Sequence, residues 1–479
     1  MNQDNTLPPQ LLVLRTTLLE LLAAYRPAFR QDRVYRRAVA LVLAEIFAFA
    51  RHTATQLLLA LGLAQADWSG WYRLWSVPRF VPERAAAILF RQTLRHVPTD
   101  APAYVVGVDQ VHLRRHSLKL PGTGWAKAAG TAVFRPGLAR AQRFVHGAWL
   151  TPRWNGYSRA VPLRLLPAFP PKAVPAHTPP RKEWEAARDF IAWVRAQLDV
   201  AGRMAQFLLV LGDGAYDTVE LWRALPERAI LLARSATNRV LRALPEPNPR
   251  GRPRQYGAQL PTPREWLHVS RGWQHGQVPV RGHQRTLTYR VVGPCLRERV
   301  PDRPLFLLVV KGQTWAKRRK GKPPTRKQRQ PAFYLVNAVW RDGRWQLPLP
   351  ALELLAWAWQ RWELEVAHRE LKSGLGLGEK QCWHPRSAEV SVAWTGWVYG
   401  LIVLAGYAAW GLHGGPATPA RWWRGAPRWS LTTLWRSLRQ SFWGTAEFRA
   451  LWSRAGDDWP KMEGWLAGQL NAVLGAARI

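Results

Sequence analysis

Through residues 10–96 apolar positions recur at helical spacing and strand-like alternation is missing, which predicts an α-helical N-terminal region. Inside it, Thr53 to Leu63 reads as a short apolar helix turning at Gly62, and Asp67 to Trp75 as a second helix carrying aromatic and basic residues. That is a helix-turn-helix pattern, and it is shared by any helical hairpin with a glycine turn; a DNA reader and a plain bundle both stay open. From residue 104 the texture changes. Tyr104–Val108 is a β-branched apolar run ending in Asp109, Phe144–Leu150 and Ala160–Leu166 read as further strands, and the six prolines of residues 167–180 mark a connector. A helix over 182–199 follows, then the strand Phe207–Gly212 ending in Asp213, a helix over 217–225 and the strand Ala229–Ala233. Strands alternating with helices predict an α/β core whose sheet is at least partly parallel and buried. Residues 236–345, rich in Pro, Gly and Arg, hold short strand-like runs at 285–292, 305–310 and 333–336 and read as a β-rich insertion before a long helix over 350–373. A last helical region runs to Ile479, and no internal repeat is visible.

The helix at 361–372 carries the densest chemistry. Arg361, Glu365, His368 and Lys372 are spaced by four, three and four, so all project from one face, while Leu364, Ala367 and Leu371 form an apolar stripe roughly a right angle away. A carboxylate between Arg and Lys with an imidazole beside it suits gripping a metal ion and a phosphate together; a solvated charged face is the plainer alternative.

Charge weighs between them. The chain has 479 residues, 47% of them hydrophobic, enough for two or three domains, and carries 69 Lys+Arg against 31 Asp+Glu, a formal charge of +38. Such a charge points to a polyanionic partner, nucleic acid first, and the scarcity of acids makes each strand-end carboxylate a candidate for chemistry. Cys295 and Cys382 cannot build a disulfide framework or a Cys-based zinc site, and the polar start from Met1 to Pro9 does not read as a signal peptide. Val390–Leu412 is uncharged and long enough to span a bilayer, but Ser391, Thr395, Gly396, Gly400 and Gly406 interrupt it; a buried soluble helix behind the 361–372 segment is expected. The expectation is a cytoplasmic, reduced protein.

Asp109 and Asp213 each close a hydrophobic strand at the edge where open α/β sheets bind ligands, and Glu365 is a third acid offered by a helix. Three such carboxylates fit a two-metal phosphoryl-transfer site, because hard Mg²⁺ ions take oxygen ligands.

These residues carry a resemblance to the DDE transposases of bacterial insertion sequences, in the subgroup marked by a tyrosine–arginine–glutamate–lysine signature. Arg361, Glu365 and Lys372 match at the signature spacing, with Trp362, His368, Gly374 and Gly376 around them. Asp213-Gly214-Ala215-Tyr216-Asp217 resembles the middle aspartate block, and Asp109 the first aspartate, on the first strand of an RNase H-like fold. One position departs: Ala358, between Trp357 and Trp359, stands where the signature tyrosine would fall. The resemblance implies an RNase H-like core with a mixed sheet flanked by helices, interrupted by a β-rich insertion, with helical N- and C-terminal regions. The expected divisions are a DNA-binding region at 1–98, the core at 99–235, the insertion at 236–345, completion of the core at 346–412 and a C-terminal region at 413–479. It further implies that Asp109, Asp213 and Glu365 hold two Mg²⁺ ions, with Mn²⁺ able to substitute, and that Arg361 and Lys372 grip phosphates of the element's ends. His368 is expected as a partner of Glu365. The implied activity is metal-dependent cleavage and strand transfer of double-stranded DNA by a homodimer at the nucleoid. Two readings compete: a catalytically inactive DNA-binding relative, and an RNase H-like nuclease or resolvase.

Two segments suggest further DNA contacts. Arg250, Arg252 and Arg254 form an Arg-Gly-Arg-Pro-Arg run suited to a narrow minor groove, and Lys317, Arg318, Arg319 and Lys320 begin a basic run beside Trp315. By the resemblance, an aromatic residue would stack on a flipped base near the element's end; Trp273 and Trp315 are both candidates.

Overall fold

The computed structural model describes residues 8–115, 117, 120–127, 135, 137–174, 179–246, 254–319, 322–382, 384–416 and 428–443. The chain opens with helices α1 (Pro9–Ala23), α2 (Asp32–Phe47), α3 (Ala54–Ala60), α4 (Ser69–Ser76) and α5 (Pro82–Leu94). The Thr53 hydroxyl caps α3 by accepting the Gln56 N–H at 3.2 Å, and Gly62 turns the chain toward α4 with φ +73°. The expected helical hairpin is therefore present.

Strands β1 (Ala103–Arg114), β2 (Thr123–Lys127), β3 (Leu138–Leu150) and β4 (Ala160–Pro167) come next, followed by α6 (Glu183–Val200), β5 (Phe207–Gly212), α7 (Val219–Arg223) and β6 (Ala229–Arg234). The remaining strands are β7 (Leu241–Ala243), β8 (Gln274–Val280), β9 (His283–Arg297), β10 (Val300–Val310), β11 (Gln313–Arg319), β12 (Lys322–Arg329), β13 (Ala332–Asn337), β14 (Val339–Arg341) and β15 (Arg344–Gln346). Helices α8 (Ala351–Gln360), α9 (Trp362–Ser373), α10 (Pro385–Trp410) and α11 (Leu431–Trp443) complete the described chain.

The fold is mixed α/β. Among the described residues an 11-stranded sheet runs in the order β2-β3-β1-β5-β6-β13-β10-β9-β7, with β4 also on β3 and β8 also on β9. The pairs β1–β5 and β5–β6 are parallel; β1–β3, β3–β4 and β6–β13 are antiparallel. Five strands of the 236–345 segment, β7, β8, β9, β10 and β13, continue the large sheet: β13 pairs with β6 through Leu335↔Ala233 and its neighbours. The β11–β12 and β14–β15 hairpins stand off it as two-stranded ribbons.

Two details differ from the sequence reading. Asp109 was expected at a strand end, yet β1 continues to Arg114; only the parallel pairing with β5 ends there, at Gly107↔Leu211, while β3 accompanies β1 as far as Arg114↔Ala141. The short β5 leaves one edge of β1 free from Val108 onward, and that step is where Asp109 sits. The helix expected over 350–373 is two helices meeting at Arg361, whose φ −52° and ψ −31° keep the junction nearly helical.

Alternation of side chains decides what each face of the sheet packs against. On one face a Cβ at Gly107 would collide with Leu364 of α9; on the other, a Cβ at Gly147 would collide with Phe190 of α6. Helix α10 lies behind α9, against β4 and helices α1, α4 and α5. It is long and apolar enough to cross a membrane, yet 78% of its most apolar window is buried inside the protein. Gly396 fits against Leu165 and Gly400 against Leu89 and the Pro162 carbonyl, which explains the small residues in so apolar a helix. One continuous apolar cluster, from Leu14 of α1 through the sheet to Leu438 of α11, joins N-terminal helices and sheet.

Candidate functional site

The site forms where β1 outruns β5. The Arg361 guanidinium, at the α8–α9 junction, donates to Asp109 Oδ2 at 3.2 Å and to Glu365 Oε1 at 2.5 Å, so one cation holds a strand carboxylate and a helix carboxylate 252 residues apart from it and four residues apart, respectively. The four-residue spacing read from the sequence is what lets Arg361 and Glu365 meet on one face of the helix. Asp213 follows β5 directly; its carboxylate accepts the Ala215 N–H at 2.9 Å, and Asp109 accepts the Gln110 N–H at 2.9 Å. Burial pushes the Asp109 carboxyl up to about 6; Arg361 pulls it down, while the charges of Asp213 and Glu365 push it up. The fields of all three acids therefore meet at Asp109. Its side chain is 12% exposed, against 35% for Glu365, so the wall of the site is sheet and its mouth is helix.

His368 does not bond Glu365. Its ring packs against His146 with centroids 4.8 Å apart, and His146 lies directly across from Asp109 in the β1–β3 ladder. Both ring nitrogens of His146 and Nε2 of His368 are buried without hydrogen-bond partners. Burial pushes His146 down to about 3, and burial together with His146, Lys372 and Arg361 pushes His368 down to about 2, so the pair is neutral under the acids. Tyr216 was missed as well: its buried hydroxyl has no partner, and burial with the charges of Asp109, Asp213 and Glu183 raises its pKa far above the ordinary phenol value. The signals were available, since His146 is the lone polar side chain of an apolar run and Tyr216 lies inside the Asp213–Asp217 block. Asp217 closes that block but is structural, fully enclosed by Arg239 at 2.6 Å and Arg297 at 3.0 Å.

Ala358 opens a hollow of about 160 Å³ lined by Leu211, Gly212, Arg234, Tyr334, Arg361 and its neighbouring indoles. Those indoles are Trp359, with the Arg329 guanidinium 5.5 Å from its ring, and Trp362; Trp357 does not line the hollow and has the Arg153 guanidinium 4.7 Å from its ring. Lys372 is exposed on the last turn of α9, away from the Arg361 ion pairs. Trp273 is crowded by Lys311 at 4.2 Å and Arg290 at 4.7 Å, whereas Trp315, on the β11–β12 hairpin, is 39% exposed. Lys317, Arg318 and Arg319 lie on β11, with their side chains outside what the structure describes; Lys320, Arg250 and Arg252 fall outside the described residues, and Arg254 is exposed.

The donor set suits a hard divalent ion: three carboxylates, with two of them already turned to one cationic group. Among the described residues no three acidic or imidazole side chains already stand at mutual metal-ligand spacing, Arg361 being interposed between Asp109 and Glu365. Neither a family model nor a curated protein sequence matches the chain.

Proposed function

We propose that this protein is a DDE-type transposase that binds the terminal inverted repeats of its own element and catalyses metal-dependent DNA cleavage and strand transfer. The observation that carries the reading is Arg361, which ties Asp109 of β1 to Glu365 of α9 at the point where the charge of Asp213 also reaches Asp109. Three further features support it. The order β4-β3-β1-β5-β6, three antiparallel strands continued by two parallel ones, is compatible with an RNase H-like core. The 236–345 strands fall between β6 and α8 along the chain and extend the sheet beyond β6, an arrangement compatible with an insertion. The net charge of +38 suits a DNA partner.

In this reading Asp109, Asp213 and Glu365 hold two Mg²⁺ ions, which when bound activate the attacking oxygen and stabilise the leaving one. Arg361, freed from its carboxylates, makes a bidentate phosphate contact, and Lys372 adds a point charge. The His146–His368 pair supports the acids from beneath as neutral packing. The α3–α4 hairpin and the β11–β12 ribbon are the proposed DNA-reading elements, and two copies on paired ends complete the working assembly.

The test is cleavage of DNA carrying the element's terminal repeats, in Mg²⁺ and then with chelator. Glu365→Gln keeps the side chain's size and removes the charge that holds the ion, so cleavage is expected to fall by several orders of magnitude while end binding survives with steep salt dependence. Metal-dependent nicking at the wild-type rate in this variant would remove Glu365 from the site.

A further inference from the structure

Beyond Lys372 the free part of β1 borders a cavity of about 890 Å³, lined among others by Arg51, Arg114, Arg115, Lys127, Lys372 and Glu379. Some of this charge is answered locally. Arg51 faces Glu379 at 3.9 Å, and Arg115 donates to Gln142 Oε1 at 3.0 Å and to the Gly378 carbonyl. The side chains of Arg114, Lys127 and Lys372 make no hydrogen bond or ion pair among the described residues. Although Lys372 is exposed at its surface, partial desolvation and then the Arg114 charge hold its ammonium below its ordinary pKa. Next to the cavity, two residues before Lys127 and on the same side of β2, Trp125 is 62% exposed, with the Arg140 guanidinium 6.0 Å from its ring centroid and much of the indole open to solvent.

Cations in a cleft whose side chains have no partner among the described residues, with an exposed aromatic ring nearby, are the elements of a single-strand nucleic-acid site: charges follow the backbone and the ring stacks a base. A small anion would be served by donors converging on one point, whereas these come from β1, β2 and α9. A duplex does not enter, because its major groove alone is about 12 Å wide, too large for a cleft in the small-ligand size range. We propose that this cavity is a track for one nucleic-acid strand, with Arg114 and Lys127 taking phosphates beyond the one gripped by Lys372 and Trp125 stacking a base. The proposal rests on the reading of the chain as a DNA-processing enzyme and names where a strand leaving the carboxylates runs.

The test reads binding of a labelled twelve-thymidine oligonucleotide and of a 30-base-pair duplex to the full-length protein in EDTA, by anisotropy across a salt series. The Arg114→Gln/Lys127→Gln double variant is expected to bind the single strand about tenfold more weakly, with a log–log salt slope shallower by about 0.7 for each lost phosphate contact. Arg114→Lys should keep the slope. Trp125→Ala should weaken binding about tenfold with the slope unchanged. Arg344→Gln is the single-charge control, its effect doubled for comparison with the two charges lost in the double variant, on the β14–β15 hairpin that Arg341 anchors on Phe207 at the opposite end of β5. A double variant that changes affinity and slope no more than twice the control does, or that weakens the duplex as much as the single strand, overturns the track. So does displacement of the oligonucleotide by inorganic phosphate at constant ionic strength. Because no metal is present, failure here leaves the cleavage assay intact, and failure of cleavage leaves this binding result readable.

Discussion

Gly107 of β1 is in contact with Leu364 of α9 so closely that no side chain fits between them. Gly107 stands two residues before Asp109, and Leu364 one residue before Glu365, so this contact fixes how far the strand carboxylate lies from the helix carboxylate. Gly107→Ala is expected to cost about 1–3 kcal/mol through overpacking and to lower cleavage far more than DNA binding. Leu364→Ala in the same chain should recover part of both losses, a non-additivity read from thermal melts and single-turnover cleavage. Strictly additive losses would mean that the contact does not set the spacing.

Arg361 is the cation now shared by Asp109 and Glu365. Arg361→Ala leaves those acids facing each other, so the melting temperature in EDTA should drop. Added Mg²⁺ should then raise it more in the variant than in the wild type, where the ion competes with the guanidinium. End binding and cleavage should weaken together, because a phosphate contact is lost. Equal Mg²⁺ shifts in both proteins would show that Arg361 does not compete with the ion.

Tyr334 of β13 lines the hollow that Ala358 opens beside Arg361. In the proposed function a phenol there would face the phosphate that Arg361 takes, because both side chains line the same hollow. Tyr334→Phe removes only the hydroxyl and is expected to weaken binding of cleaved end DNA several-fold with the melting temperature unchanged. Unaltered binding would leave the hollow without a role.

Glu45 of α2 ties the N-terminal helices to the α9–α10 connection through Lys380 Nζ at 2.7 Å and to α10 through Trp394 Nε1 at 3.1 Å, and it also meets His52 Nδ1, just before α3, at 2.7 Å. Burial alone would raise its pKa, but Lys380 and His52 outweigh burial and hold it below the ordinary value. A carboxyl lowered in the folded state stabilises the fold above its unfolded pKa, near about 4.3, and that contribution fades as pH falls through the lower folded value. Glu45→Gln strands a buried Lys380, so it should cost about 3–5 kcal/mol at pH 7, with the gap to wild type narrowing below about pH 4. Denaturant titrations at pH 7 and 3.5 check it; a gap constant across that range would mean the carboxylate charge contributes nothing.

What could be read from the sequence followed from locality. Arg361, Glu365 and Lys372 share one helix, so their spacing placed Arg361 and Glu365 together before any coordinates, and the apolar runs before Asp109 and Asp213 marked real strands. What could not be read depends on partners far along the chain. That Asp109 lies mid-strand follows from β3 pairing with β1 as far as Arg114↔Ala141, and its free edge from β5 ending at Gly212, a fact about a neighbour about a hundred residues away. His146 meets His368 only because the antiparallel register sets His146 opposite Asp109, and one slip of that register would turn it to the other face. The runs at 305–310 and 333–336 showed strands; nothing local in them could say that β13 would choose β6.

That choice has a consequence for dissecting the molecule. Because β6 is paired on one side by β5 and on the other by β13, a protein shortened by removal of residues 236–345 would present the whole backbone edge of Ala229–Arg234, an apolar and almost charge-free stretch, to other copies. Such a truncated chain is expected to aggregate through edge-to-edge pairing even if its core folds, so the segment works as a seal on the sheet.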